Sequence, residues 1–290
     1  MSAVSTAGAV AHRRPSLRAR LGGLVLPAFT ALLFVFLLAP IAVMIAFSFN
    51  DPGGRQNITW QGFTLRNYVD LWGRSQITNP MIISLAVAAV STVIATTFGT
   101  MIALALTRFQ FRGRSLMNLL IFIPMTAPEI ILGASLLTLW VSMGVERGFL
   151  TILAAHVMFN ISFVVVTVRA RLAGMNRTLE EAGMDLYADG RTTFWKVTFP
   201  LIFPGILSAA LLAFALSIDD YVITLFSAGR TVTFPLWEFG VSRLGIPPEV
   251  NVLGTLIFLV AVAFIAVQLW SQRRPGPSAE GTAPIAIASR

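Results

Sequence analysis

Uncharged stretches recur along the chain: Leu24 to Phe49, Ile77 to Thr107, Ser115 to Val145 with Glu129 as its one charge, Phe149 to Val168, Val197 to Ile218, and Val250 to Gln272. Each reaches the roughly 20 residues that a helix needs to cross about 30 Å of hydrocarbon. None has the period-two alternation of a barrel strand, and backbone in lipid must satisfy its own hydrogen bonds, so the pattern predicts six transmembrane helices. The expected fold class is an all-α integral membrane protein with one membrane domain over residues 24–272. A basic tail over 1–23 precedes it. A Pro/Gly/Ala/Ser-rich tail over 273–290, of a composition expected to be disordered, follows it.

The longest polar interruption in the second half is Thr178 to Pro200, TLEEAGMDLYADGRTTFWKVTFP, within the loop 169–199. It has the grammar of ordered structure. Thr178 followed by Glu181 reads as a capping box, predicting a helix through Ala182, Met184, Asp185 and Leu186. Asp189-Gly190 reads as a turn. Thr192 or Thr193 can cap a second short helix, Phe194 to Phe199, and Pro200 opens the next hydrophobic run. Two short helices on a tight turn make a knob, and a knob implies a socket on another protein.

Composition and charge sharpen the topology. The chain is 56% hydrophobic and 12% charged, against about 25% charged in soluble domains. An even number of spans puts both termini on one side. With the amino-terminus inside, fifteen Lys and Arg fall on inner segments and six on outer ones, so the positive-inside rule places the termini and the knob in the cytoplasm. The net charge of +8 therefore reports topology and not a nucleic-acid surface. Arg13-Arg14 before an apolar run suggests an export signal, but Leu24 to Phe49 is far longer than the about 7–15 residues of a signal-peptide core. There is no Cys, and the two His, His12 and His156, are too far apart for a local metal motif, so no metal site is expected.

Polar groups in or near the membrane are the candidates for a solute path. Glu129 follows Pro124 and Pro128, each of which removes a backbone donor, so a broken helix is expected there. The carboxylate either repairs the break or lines the path, and both readings stand. Asp219-Asp220-Tyr221 falls at the outer end of the fifth span, and Trp237-Glu238 repeats the acid and aromatic pairing. Such groups either are hydrated at a helix end or hold an ammonium ligand through hydrogen bonds and cation–π contact. Trp60, Tyr68 and Trp72 in the loop 50–76 read as interfacial anchors in preference to ligand contacts. Ser84, Ala88, Thr92, Thr96 and Thr100, four apart, make a small-residue face that packs within the bundle or against a second subunit.

Several chemistries are missing. No GxxxxGK[ST] occurs, and the one Lys, Lys196, follows Trp195, so no ATP site of that kind is present. No GxSxG appears, and only His156 in the fourth span could serve a Ser-His-Asp arrangement. This chain is expected to be no enzyme by itself.

The knob resembles the EAA loop of permease subunits of binding-protein-dependent ABC importers, whose pattern is EAA, three residues, G, nine residues, I-x-L-P. Glu181-Ala182-Gly183 takes the first places and Val197-Thr198-Phe199-Pro200 the last. Gly183 replaces the second Ala, and Tyr187 stands at the glycine position, where Gly190 is expected to take over the permissive role. GFTLRNY, PEIILGASLL, SIDDYVITLF and IPPEVNVLGTL are similar to segments of the spermidine/putrescine permease subfamily. The resemblance implies a type I ABC importer fold in a bacterial inner membrane. It implies a homologous second permease, two ATPase subunits on the knobs that carry ATP and Mg²⁺, and an external solute-binding protein, with no cofactor on this chain. It implies ATPase coupling through Glu180, Glu181, Ala182, Gly183, Met184, Asp185, Tyr187, Gly190 and Pro200, with Glu181 fixing the helix, and a polyamine or similar organic cation as solute. An importer for an amino acid derivative, phosphonate or iron chelate is the alternative within the class. A proton-driven transporter working through Glu129 and the Asp pair is the alternative outside it.

Overall fold

The structure is a computed structural model that describes residues 17–54, 56–73, 75–176, 178–243 and 245–272. Most of the basic tail and the whole carboxyl-terminal tail lie outside these residues. The described chain is helical, apart from one isolated antiparallel bridge between Asn50 and Phe63. Its helices are α1 (Leu17–Ser48), α2 (Arg66–Asp70), α3 (Ser75–Arg108), α4 (Arg114–Thr126), α5 (Glu129–Ser142), α6 (Phe149–Ala173), α7 (Thr178–Asp185), α8 (Gly190–Thr193), α9 (Phe199–Asp219), α10 (Val222–Ser227), α11 (Phe234–Ser242) and α12 (Pro248–Gln272).

The six uncharged runs all fall on helices, in three ways. Val25–Ser48, Gln76–Arg108, Phe149–Ala173 and Gly190–Asp219 are each long and apolar enough to cross a membrane. The third run is two helices, α4 and α5, bent by 109°. Its break falls at Ala127-Pro128, where Pro128 cannot donate and forces the preceding residue into extended backbone, ψ 139° at Ala127. The sixth run lies on α12, which includes the apolar stretch Pro248–Ala263. α1 is already helical at Leu17, where the described residues begin, inside the segment expected to be tail.

The chain divides into two compact units. In the first, α1 packs on α12, and Gly254 lets Met44 approach: a Cβ there would lie 2.5 Å from Met44 Sδ. The loop after α1 is knotted by buried amides. Asn50 Nδ2 donates to Asn57 Oδ1 at 2.6 Å and to the Thr59 carbonyl at 2.8 Å, and Asn57 Nδ2 donates to the Phe47 carbonyl at 2.7 Å. Tyr68 there shares a 2.7 Å hydrogen bond with Ser48, and Trp60 meets Phe47 edge to face.

In the second unit α3, α6 and α9 pack on one another around Ala95, Ala103, Val164, Val168, Ile202 and Ala209. Small side chains bring the backbones close, which is how helices associate without a hydrophobic drive. At Gly99 a Cβ would meet Val164 Cγ1 at 2.6 Å and the Ile161 carbonyl at 3.3 Å. Ser91 and Ser217 join α3 to α9 at 3.0 Å. The four-residue stripe turns inward: Ala88 is fully buried, Ser84 Oγ accepts from the Phe234 amide at 2.8 Å, and the Thr92, Thr96 and Thr100 hydroxyls are buried within the chain.

Candidate functional site: the knob and the segment after α9

The knob is capped differently from what the capping box implies. Thr178 is already helical in α7, and its amide donates to Asn176 Oδ1 at 3.1 Å, so Thr178 is not the cap. Adjacent positions on a helix point about 100° apart, and the two glutamates of α7 accordingly separate. Glu180 is buried and Glu181 is exposed. Both Nη atoms of Arg108, the last residue of α3, donate to the two Glu180 oxygens, and the Thr198 hydroxyl donates to Oε1. The residue that fixes α7 is thus Glu180, in place of the expected Glu181.

Gly183 faces Val197 Cγ2 and Thr193 Cγ2, which a Cβ would meet at 3.6 and 3.8 Å. That is ordinary contact, so the position takes a small residue of either kind. Ala182, Met184 and Asp185 are exposed, as is Leu186 beyond them.

The turn is made at Tyr187. Its φ of 64° is the one positive value at a non-glycine among the described residues. The Tyr187 amide donates to the Met184 carbonyl at 3.0 Å and the Ala188 amide to the Gly183 carbonyl at 3.2 Å, closing α7 with a left-handed residue where glycine is usual. The expectation that Asp189-Gly190 makes the turn is therefore corrected. Asp189 instead caps α8, accepting from the Thr192 amide at 3.0 Å, and the Thr192 side chain first, with that amide second, holds its exposed carboxyl below the ordinary value. Gly190 has ordinary helical geometry as the first residue of α8.

Nor is the second short helix separate. α8 runs through a π-helical turn, Phe194–Thr198, into α9. The Phe199 amide reaches back to the Phe194 carbonyl, one residue farther than in an α-helix. This wide turn comes just before Pro200, whose ring would meet the Lys196 carbonyl in regular helix.

At the other end of α9 the acidic pair splits as well. Asp219 is exposed. Asp220 turns inward, where Oδ2 accepts from the Thr224 amide and hydroxyl, both at 2.7 Å, and lies 3.2 Å from His156 Nε2. Burial pushes the Asp220 carboxyl up, and the hydrogen bonds from His156 and Thr224 outweigh it, leaving it below the ordinary value. His156 also meets Thr224 Oγ1 at 2.8 Å and Ser217 Oγ at 2.6 Å. His156, Phe159, Asn160, Ser217 and Asp220 pack around a gap with no room for a water molecule. Asp220 thus serves a buried network and is not presented to a solute.

Tyr221 lies 4.6 Å from Phe239, ring to ring, and Arg243 covers the Phe239 ring at 4.6 Å. Trp237 stacks on Phe234 at 6.0 Å. Glu238 is half-buried, and burial with the nearby negative charge of Asp219 pushes its carboxyl up. The Asp219 charge thus reaches Glu238, and Tyr221 packs on the ring of the adjacent Phe239. Glu129 stands apart, exposed at the first position of α5. The Pro128 carbonyl takes the Ile131 and Leu132 amides. Among the described residues Glu129 makes no hydrogen bond that would repair the break, and no group of three or more His, Cys, Asp or Glu could hold a metal.

A polar knob rooted by a buried carboxylate and a helix bundle closed by small residues together make a helical membrane domain with an ordered projection. The chain belongs to the family described as the binding-protein-dependent transport system inner membrane component, whose model matches residues 95–274. It is therefore a multi-pass inner membrane protein, a permease subunit of an ABC importer. It is 36% identical over 251 residues to the spermidine/putrescine transport system permease protein PotC of Escherichia coli K12, covering 86% of this chain and 94% of the relative. It is 38% identical over 245 residues to the putrescine transport system permease protein PotI of the same organism, covering 82% and 86%. Among solved structures it resembles a bacterial ABC transporter involved in the import of alginate, with TM-score 0.62, 19% identity, and 91% and 100% of the two chains covered. The MetNI methionine ABC transporter follows with TM-score 0.55, 18% identity, and 68% and 93% covered. At these identities the structural likeness speaks for the fold alone.

Proposed function

We propose that this subunit forms half of a path for a polyamine, spermidine or putrescine, paired with a homologous permease and driven by two ATPase subunits that bind ATP and Mg²⁺. The observation that carries the reading is the knob, whose root is locked into the bundle through Glu180 while Glu181, Ala182, Met184, Asp185 and Tyr187 face outward. An exposed ordered surface on a buried anchor is what a docking lever requires. The excess of Lys and Arg on the inner segments supports a cytoplasmic knob and cytoplasmic termini, an orientation in which the 219–249 segment would face the external solute-binding protein. Solute specificity is supported by the names of the relatives, PotC and PotI.

For a polyamine the relevant groups are Asp219 and Glu238, with Tyr221 beside them. Burial first, and then the negative charge of Asp219, raises the Glu238 carboxyl, and an ammonium ligand would relieve the repulsive part. Trp237 supports the segment from the side, and Glu129 is left as an exposed acid at the bend.

The test is uptake of labelled spermidine and putrescine by vesicles holding this chain, its second permease, the ATPases and the binding protein. ATP-dependent uptake that falls in Asp219→Asn and Glu238→Gln supports the reading. Uptake of neither polyamine, with transport of another solute, overturns the cation assignment, and uptake without ATP or an ATPase points to a proton-driven carrier.

A further inference from the structure

Glu180 lies where three parts of the chain meet. Its carboxylate takes the paired N–H groups of Arg108 at the end of α3, and also the hydroxyl of Thr198 in the π-helical turn that leads into α9. α7 also packs on α8 and the π-helical turn. The ion pair ties α7 to α3. Glu180 is 8% exposed in its side chain and Arg108 26%. Removing either partner would leave a largely desolvated charge behind, which keeps the pair closed while both are present. The two-pronged guanidinium contact also fixes direction, because a planar fork on a carboxylate resists rotation where a single point charge would not.

We propose that Glu180 is a positioning residue of the transport cycle: through Arg108 and Thr198 it makes α7, α3 and α9 move as one body, so that displacement of the knob by its partner reaches two membrane helices at once. The two adjacent glutamates then have separate tasks. Glu181 belongs to the exposed docking surface, and Glu180 belongs to the transmission behind it. The π-helical turn at Phe194–Thr198 is the point of entry into α9, and the Thr198 hydroxyl pins that irregular turn to the same carboxylate. Helical irregularities of this kind commonly mark places where a helix works and does not merely stand. This inference rests on the reading of the knob as an ATPase-docking lever.

The experiment uses the full importer, purified with its ATPases and placed in vesicles, and reads three quantities: ATPase retained, ATP hydrolysed, and solute taken up. Glu180→Gln and Arg108→Ala are expected to keep the ATPase and hydrolyse ATP while solute taken up per ATP falls about tenfold. The exchanged pair, Arg108→Glu with Glu180→Arg, is expected to recover more of that ratio than either single change. Arg108→Lys keeps the charge but loses the fork, and should give an intermediate ratio. That milder variant decides the matter if the others fail to assemble. A ratio unchanged in Arg108→Lys and in Glu180→Gln, with ATPase bound, overturns the proposal. An exchanged pair no better than the single variants also overturns it. If the unaltered chain retains no ATPase, the docking reading fails first, a result that none of the variants can mimic.

Discussion

Tyr187 offers a direct measurement of backbone strain in the knob. A side chain at φ 64° costs about 1–2 kcal/mol, because Cβ crowds the carbonyl that follows. Tyr187 is fully exposed, at 100%, so no burial offsets that cost. Glycine removes the strain and returns about 0.4–1 kcal/mol to the unfolded segment as added freedom. Alanine keeps Cβ and loses only the exposed ring. The net advantage of Tyr187→Gly over Tyr187→Ala is therefore about 1 kcal/mol, or about fivefold in a local opening equilibrium. Hydrogen exchange of the amides that close α7, those of Leu186, Tyr187 and Ala188, reads that equilibrium without unfolding the membrane domain. The glycine variant should exchange about five times more slowly than the alanine variant, and the alanine variant should match the native chain. Equal exchange in both variants, or faster exchange in glycine, would show that the left-handed turn is not strained as argued.

Two other perturbations test the bundle and the buried network. Gly99→Ala places a methyl where Val164 and the Ile161 carbonyl leave no room, so thermal unfolding in detergent should show a loss of about 1–3 kcal/mol; an unchanged transition contradicts the close crossing of α3 and α6. Asp220 has a lowered carboxyl, so its stabilisation is present above the ordinary carboxylate value and is lost as pH falls through the lower folded value. Thermal scans between about pH 5 and about pH 3 should show this loss in the native chain and a flatter response, from a lower starting stability, in Asp220→Asn. An identical acid response in both would remove Asp220 from the account.

What could be read in the sequence follows from what is local. The hydrophobic runs are local, and so are Pro124 and Pro128, so the six helical stretches and the break before Glu129 were legible. The direction of a side chain is not local. Glu180 and Glu181 are equivalent on paper, and only the position of Arg108, far off at the end of α3, decides which one is buried. Asp219 and Asp220 are separated in the same way by His156. His156 carried a weak signal, a lone ionisable ring in an uncharged run, but its partners Ser217, Asp220 and Thr224 lie on the far side of a loop and a helix. The turn was misplaced for a different reason. Asp189-Gly190 is the better turn dipeptide by residue preference, yet the helix ends where its carbonyls find closing amides, and Tyr187 accepts the strained geometry there. The amide knot of Asn50 and Asn57 gave no pattern at all, because asparagines in a loop look alike whether they are buried or hydrated.

The central claim is that the ordered segment 178–200 is the element through which this permease is driven by an ATPase. The chain contains no Cys, so single cysteines can be introduced one at a time without background. Met184, 51% exposed on α7, and Val232, 44% exposed between α10 and α11, are suitable positions. In membranes containing the whole importer, a short bifunctional thiol reagent should link Met184→Cys to the ATPase and leave Val232→Cys unlinked to it. A cross-link to the ATPase from position 232 and none from position 184 would contradict both the topology and the coupling role of the knob.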